Sequence, residues 1–217
     1  MNIGTFILDL LFPPRCVFCG KILKTGEVGL CDHCQLNLPW LGGQAAEQKF
    51  EFISLCASPL QYCDDVRNSI HRYKFSDRNG YAKCYGKLVA QCIEDHLSGK
   101  YDIITWVPLS ARSLKKRGYD QAMLLAMAAA LELNDVAVET LRKKHHTNAQ
   151  SSLKEDSERR ANVLGAYEVV DLVLIEGKRV LLIDDVVTTG STMSECARVL
   201  LTHGAADVVS ASLCRAR

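Results

Sequence analysis

The sequence predicts an α/β protein built on a doubly wound parallel sheet, with a small four-cysteine module at its amino terminus. From residue 50 onward, short apolar runs rich in β-branched residues alternate with stretches whose apolar residues recur at helical spacing, as in a sheet covered by helices. Before residue 45, two Cys-x-x-Cys pairs stand close together. The chain is therefore expected to divide into residues 1–44 and residues 45–217, joined by a glycine-containing linker at 41–44.

The elements of the larger part are predicted from apolar periodicity. Strands are expected at residues 50–57, 101–107, 136–141, 169–175, 180–183 and 208–213, and helices at 66–73, 81–96, 121–133 and 193–203. The polar residues 142–162 have no clear period and are interpreted as a long lid or loop. Because ligands of doubly wound sheets bind beyond the carboxyl ends of the strands, we expect a site in the loops that follow them.

Composition excludes several classes of protein. Of 217 residues, 48% are hydrophobic, which supports a full core, and the formal net charge of +1 does not indicate strong electrostatic binding to nucleic acid. Six of the ten cysteines show no paired framework, which favours a reducing compartment over a disulfide scaffold. Residues 3–12 are apolar but short, contain Asp9 and lack a basic start. They predict a short amphipathic helix, and no transmembrane segment is expected.

The two Cys-x-x-Cys pairs predict a structural zinc site formed by Cys16, Cys19, Cys31 and Cys34. Each pair places two thiolates on one knuckle, and two knuckles complete a tetrahedron. A redox-active pair is the alternative for a single Cys-x-x-Cys motif, but two pairs in register favour a metal. Four thiolates fill the coordination sphere, so the metal is expected to be structural rather than catalytic.

Residues 180–192, VLLIDDVVTTGST, are the most informative stretch. A predicted buried strand ends in two adjacent acids, Asp184 and Asp185, and a turn rich in hydroxyls and glycine leads into the next helix. Backbone N–H groups at a helix amino terminus favour phosphate, and glycine allows close approach of the ligand. The two acids suit hydrogen bonds from sugar hydroxyls of the same ligand. An ordinary junction capped by Ser191 or Thr192 is the alternative, and it leaves the two acids unexplained.

Three further segments are expected to complete a site at the strand ends. Residues 107–112, VPLSAR, predict a loop that faces a second phosphate group through Leu109, Ser110, Ala111 and Arg112. In residues 115–121, KKRGYDQ, Arg117 beside Gly118 is the best candidate for a fixed role, whereas Lys115 and Lys116 are equally well explained as solvated surface. Residues 142–162 supply lid candidates, with a mobile surface loop as the alternative; these candidates are Arg142, Lys143, Lys144 and Arg159.

Residues 180–192 resemble the phosphoribosyl pyrophosphate (PRPP) signature of type I phosphoribosyltransferases. The order of all these segments resembles the ComF family of competence-associated, phosphoribosyltransferase-like proteins. That order is two cysteine knuckles, VPLS, RGYDQ, LRKKHHTNAQSSL, RRAN and LLIDDVVTTGST. Family members usually carry Asn where this chain has Asp120. The departure puts in doubt only a role for that side chain as an amide donor.

The resemblance implies a type I phosphoribosyltransferase fold and a donor site for PRPP with Mg²⁺. Asp184 and Asp185 would bind the ribose 2′ and 3′ hydroxyls as the catalytic carboxylates. The turn after them would bind the 5′-phosphate through Thr188, Thr189, Gly190, Ser191 and Thr192. Residues 109–112 would face the pyrophosphate, and the cations of residues 142–160 would close over it.

The resemblance also implies a role in DNA uptake during natural transformation, in the cytoplasm at the inner face of the membrane. Single-stranded DNA and other competence proteins, such as a DNA-uptake helicase, would then be partners. Three function classes stay open: a phosphoribosyltransferase with an unidentified acceptor, a PRPP-binding sensor without transfer, and a single-stranded DNA adaptor. No residue of the chain is identified as a reader of an acceptor.

Overall fold

A computed structural model describes residues 13–75, 79–144 and 165–216 of the chain. The helix predicted at residues 3–12 and most of the polar segment 142–162 lie outside these ranges. The helices are α1 (Asp32–Asn37), α2 (Asp64–Phe75), α3 (Tyr81–Leu97), α4 (Ala111–Arg117), α5 (Gln121–Glu132) and α6 (Ser191–Thr202). The strands are β1 (Glu47–Phe50), β2 (Ile53–Ala57), β3 (Leu60–Gln61), β4 (Ile103–Trp106), β5 (Leu141–Lys143), β6 (Tyr167–Val169), β7 (Arg179–Val187) and β8 (Asp207–Arg215).

The main sheet has the strand order β1-β2-β8-β7-β4, and β3 also pairs with β8. Strands β2, β3, β4, β7 and β8 run parallel, whereas β1 is antiparallel to β2 at the edge. Strands β5 and β6 form a separate antiparallel pair. The predicted parallel sheet is confirmed, with one antiparallel edge strand added to it.

Helices cover both faces of the sheet. On β7, Leu181 and Ile183 belong to the buried cluster that includes residues of α2, α3 and α5, whereas Val180 and Leu182 belong to the cluster that includes α6. This alternation is what a strand buried on both faces requires. The doubly wound arrangement is therefore confirmed, and it leaves the carboxyl ends of β4 and β7 open for a site.

Two predicted strands in the larger part are wrong. Residues 136–140 form no regular strand, since Ala137 makes only an isolated bridge to Ile104 and β5 begins at Leu141. After β6 the chain folds into turns, in which Leu172 accepts a hydrogen bond from Ile175 N–H. The β-branched residues in this segment led to the prediction of a buried strand, but Val173 is 80% exposed.

Shorter corrections apply at residues 50–57 and at the loop after β4. Residues 50–57 form the end of β1 and all of β2, because the chain turns at Phe52, where φ is 65°. Ala111 and Arg112 are the first residues of α4 rather than part of a loop. The helices predicted at 66–73, 81–96, 121–133 and 193–203 are confirmed to within two residues at each end.

The cysteine module packs directly on the larger part of the chain. Phe18 and Cys34 are buried in the same cluster as Tyr73 and Tyr85, and the Phe18 and Tyr85 rings lie 5.7 Å apart between centroids. The boundary expected at residue 45 stays a prediction. Across residues 13–75, 79–144 and 165–216, no helix is long and apolar enough to cross a membrane.

Candidate functional site

The four cysteines of the amino-terminal module converge on one point. Their Sγ atoms all lie within 4.8 Å of one another, and three of the four residues are buried. The Sγ atoms of Cys19 and Cys31 lie 3.6 Å apart, close to the ~3.8 Å edge of a tetrahedron with Zn–S bonds of ~2.3 Å. Four thiolates in this arrangement fit a structural zinc ion and leave no position open for a substrate.

Local backbone geometry builds both knuckles. In the first, Gly20 N–H donates to the Cys16 carbonyl, and Cys16 N–H donates to the Lys21 carbonyl. In the second, Cys31 precedes the first residue of α1, so Cys34 lies one helical turn later on the same side. The spacing of each Cys-x-x-Cys pair is thereby converted into two thiols that face one metal position.

A second site lies beyond the carboxyl ends of β4 and β7. A cavity of about 240 Å³ opens there, where a doubly wound sheet binds its ligands. Its walls combine acids, cations and small polar side chains from several elements. The polar members are Lys74, Ser110, Ser113, Arg117, Asp120, Gln121, Lys143, Tyr167, Asp184, Asp185 and Thr192.

Asp184 and Asp185 form the acidic floor of this cavity. Because successive side chains of a strand alternate, Asp185 lies on the face covered by α2, α3 and α5, and Asp184 on the face covered by α6. Asp185 N–H donates to Asp184 Oδ1 at 2.8 Å. Loss of hydration and the neighbouring Asp185 carboxylate raise the pKa of Asp184 to about 8, although Lys74 acts in the opposite direction. The pair therefore presents less than two full negative charges at neutral pH.

Residues 188–192 form a small cradle of about 60 Å³ beside the acids. Gly190 precedes α6 in a left-handed conformation, with φ of 75°. The Thr189 and Ser191 hydroxyl oxygens lie 2.8 Å apart, which fixes the shape of the turn. The first N–H groups of α6 have no partner within the helix and face the same end, so the cradle suits a phosphate group.

Replacing Gly190 by Ala is expected to disturb this cradle. A Cβ atom at this position would lie 2.3 Å from Cδ1 of Phe50, and the left-handed backbone adds a cost of roughly 1–2 kcal/mol for an L-residue. We expect a lower thermal midpoint in thermal unfolding. Gly99→Ala is the matched control, since φ there is +70° and no atom lies within 4 Å of the added Cβ. Equal behaviour of the two variants would contradict the close contact with Phe50.

The loop after β4 contributes only its first half to the cavity. Leu109 and Ser110 line the cavity, whereas Ala111 and Arg112 are exposed at the start of α4 and do not line it. Ser110 Oγ caps α4 by accepting from Ser113 N–H at 3.2 Å. The loop after β4 thus lines the cavity with residues 107–110, of which Leu109 and Ser110 belong to the predicted pyrophosphate loop.

Asp120 links this loop to the start of α5 through two hydrogen bonds. Its Oδ2 accepts from Leu109 N–H at 2.9 Å, and its Oδ1 accepts from Met123 N–H at 3.1 Å as the N-cap of α5. Burial raises the pKa of Asp120. Both of these bonds need an acceptor, so an aspartate in place of the usual asparagine is compatible with the geometry. The Leu109 N–H group is engaged by Asp120, so it is not free to bind pyrophosphate.

The predicted lid candidates are distributed unevenly. Lys143 lies in the cavity wall, with its Nζ 5.1 Å from the centroid of the Tyr167 ring. Arg142 is exposed and lies 3.3 Å from Glu139, and Lys144 is also exposed. Arg159 lies outside the described residues. Among the lid candidates in the described part of the chain, Lys143 is the one that lines the same cavity as Asp184 and Asp185.

Sequence reasoning missed Lys74 and Tyr167. Lys74, the penultimate residue of α2, places its Nζ 2.7 Å from Asp185 Oδ1. Nothing in an amphipathic helix distinguishes a lysine that reaches a distant strand from one that is solvated.

Arg117 was predicted to have a fixed role because it lies beside Gly118. It lines the cavity, donates to Gln121 Oε1 at 2.7 Å and lies over the Phe75 ring.

Two protein-family models match the chain. Residues 113–217 match the Phosphoribosyl transferase domain model, and residues 7–49 match the Double zinc ribbon domain model. The first match includes the acid pair and the phosphate cradle, and the second includes all four zinc-site cysteines. The zinc ribbon and the phosphoribosyltransferase fold predicted from the sequence are therefore confirmed.

Similar proteins match across nearly the whole chain. Competence protein F of Haemophilus influenzae is 27% identical over 93% of this chain and 97% of its own length. DNA utilization protein YhgH of Salmonella typhimurium is 30% identical over 92% of this chain and 89% of its own. Competence protein ComFC of Streptococcus pneumoniae is 25% identical over 93% of this chain and 100% of its own length. The chain therefore belongs to the ComF family of phosphoribosyltransferase-domain proteins with an amino-terminal zinc ribbon.

Proposed function

We propose that this protein binds PRPP, accompanied by Mg²⁺, in the cavity at the ends of β4 and β7, and that an acceptor displaces its pyrophosphate. One observation carries the proposal: an adjacent acid pair and a glycine-containing phosphate cradle lie side by side at a strand end, in two cavities whose walls share Asp184, Val186 and Thr192. A ribose 5-phosphate group needs this combination, since its hydroxyls donate to carboxylates while its phosphate accepts from backbone N–H groups.

Each wall of the cavity has a role in this proposal. Asp184 and Asp185 accept hydrogen bonds from the ribose hydroxyls, and residues 188–192 hold the 5′-phosphate. Arg117 and Lys143 both line the cavity and would face the pyrophosphate. Mg²⁺ would be carried by the oxygens of the donor itself and would neutralise the leaving group. The contribution of the chain is positioning and charge stabilisation around a carbon that becomes positive.

The names of the relatives support a cellular role. They refer to competence and to DNA utilization, so we propose that the protein acts in DNA uptake, in the cytoplasm at the inner face of the membrane. Single-stranded DNA and a DNA-uptake helicase are the partners this role would provide. Direct binding of single-stranded DNA would be recognised by a steep loss of affinity as salt increases.

Transfer is tested by pyrophosphate release in the presence of Mg·PRPP and a panel of bases and amines. An acceptor is expected to raise the release rate above that of PRPP alone, and Asp184→Asn is expected to abolish the increase. Saturable PRPP binding without release for any acceptor would contradict transfer and favour a sensor. Absence of both binding and release would contradict the proposed function as a whole.

A further inference from the structure

Lys74 lies on α2, far from β7 in the sequence, and its side chain contacts the acid pair at the end of β7. Its ammonium lies 2.7 Å from Asp185 Oδ1, and the two side chains are 22% and 9% exposed. Burial lowers the pKa of Lys74, but pairing with Asp185 outweighs this and raises it, so the lysine is charged. The acid that faces α2 is thus held by a cation at the cavity floor.

The carboxyl-terminal half of α2 is anchored on the zinc module. Arg72 donates to the carbonyls of Val17 and Phe18, at 2.9 Å and 2.6 Å, and Ser69 donates to the Val17 carbonyl. Val17 and Phe18 are the two residues between the cysteines of the first knuckle. The knuckle therefore fixes the helix that presents Lys74.

The same end of α2 is also fixed to α5. Tyr73 donates its hydroxyl to the Gln121 carbonyl at 2.9 Å, and Tyr119 donates its hydroxyl to the Tyr73 carbonyl. Gln121 itself lines the cavity. Lys74 follows a residue held at both its backbone and its side chain, so the position of its ammonium is set by rigid elements rather than by a flexible loop.

The location of Lys74 indicates what it does for a ribose ligand. Asp185 must keep one carboxylate oxygen free for a hydroxyl, and a buried carboxylate without a partner would be costly and free to rotate. The contact with Lys74 engages Oδ1 and leaves the other oxygen for the ligand.

We propose that Lys74 is a positioning residue of the donor site, which acts on the ribose hydroxyls through Asp185 and is itself held in place by the zinc knuckle. The inference rests on the proposed function, since it assigns Asp185 to the ribose. Because the action passes through Asp185, it concerns the ribose and not the pyrophosphate. Ribose 5-phosphate and PRPP should therefore depend on Lys74 to the same degree.

The test compares the binding of ribose 5-phosphate and Mg·PRPP to Lys74→Met by calorimetry. We expect both affinities to fall by the same factor, about tenfold, since coupling between contacting groups is commonly of this size. Lys74→Arg, which keeps the charge, should recover part of the loss. Lys83→Met, at an exposed position on α3, is the control and should bind both ligands like the wild type.

A double variant removes the risk that a lone buried carboxylate unfolds the protein. Lys74→Met combined with Asp185→Asn leaves no unpaired charge, and it is expected to bind both ligands as weakly as Asp185→Asn alone. A loss for PRPP only would overturn the inference, because it would place Lys74 on the pyrophosphate. Wild-type affinity in Lys74→Met would overturn it as well. Failure of the wild type to bind either ligand would instead overturn the proposed function, and the inference with it.

Discussion

Replacing both Asp184 and Asp185 by Asn is expected to reduce the affinity for Mg·PRPP by about 100-fold or more. Each side chain would accept a hydrogen bond from a ribose hydroxyl. A bond to a charged carboxylate contributes about 1.5–3 kcal/mol, and a bond to Asp184, whose pKa is raised to about 8, contributes about 0.5–1.5 kcal/mol while that group is protonated, so losing both costs about 3 kcal/mol. Asn keeps the shape of the side chain, which limits the damage to packing. Calorimetric titration of the variant and the wild type measures the effect.

The chain offers a matched control for this substitution. Asp64 and Asp65 are also adjacent acids, but they are exposed in the first turn of α2, away from the cavity. Asp64→Asn with Asp65→Asn removes at least as much negative charge and should leave PRPP affinity within about twofold, because exposed charges far from a site are screened. If both double variants lost affinity equally, the effect would be one of overall charge, and the assignment of the acid pair to ribose would be wrong.

Loss of a zinc ligand is the second large effect. Cys31→Ser is expected to abolish stoichiometric zinc binding and to destabilise the fold by several kcal/mol, because zinc binding supplies folding free energy in small ribbons. The module also shares a buried cluster with α2 and α3, so its opening exposes Phe18 and its neighbours. Metal analysis of the purified protein, with about one zinc per chain in the wild type, and thermal unfolding measure both consequences.

Cys92→Ala is the control for Cys31→Ser. Cys92 is 4% exposed in the same cluster but lies outside the four-cysteine group. The Cys92→Ala protein should keep its zinc, and its free energy of unfolding should fall by only about 1 kcal/mol, because it loses the packing of one small side chain. A Cys31→Ser protein with one zinc per chain and an unchanged midpoint would contradict the zinc site. Since Arg72 binds the first knuckle, zinc loss is also expected to weaken PRPP binding.

Local sequence signals predicted much of this molecule. The four cysteines, the acid pair and the turn at residues 188–192 are short-range patterns whose geometry follows from the strand, turn or knuckle that carries them. Helices α2, α3 and α6 were predictable because their apolar residues repeat at helical spacing over 12 residues or more, and α5 because it is a continuous apolar run too long for a strand. Strands that are buried on both faces, such as β7, were likewise predictable because they are continuous apolar runs.

The remainder depends on contacts between distant segments. Residues 169–175 have the composition of a strand, but only Val169 belongs to β6, and beyond it the chain folds into turns in which Val173 is exposed. Lys74 meets Asp185 across 111 residues of sequence, and Phe50 occupies the space beside Gly190 across 140. Such pairs are set by the packing of helices on the sheet, and no local pattern specifies them.

Titration of the zinc-loaded wild-type protein with Mg·PRPP tests the central claim most directly. The geometry of the acid pair and the phosphate cradle predicts saturable binding at one site per chain, with ribose 5-phosphate competing for the same site. Absence of binding at millimolar PRPP, by a protein that holds its zinc and unfolds cooperatively, would contradict the assignment of the cavity to this donor.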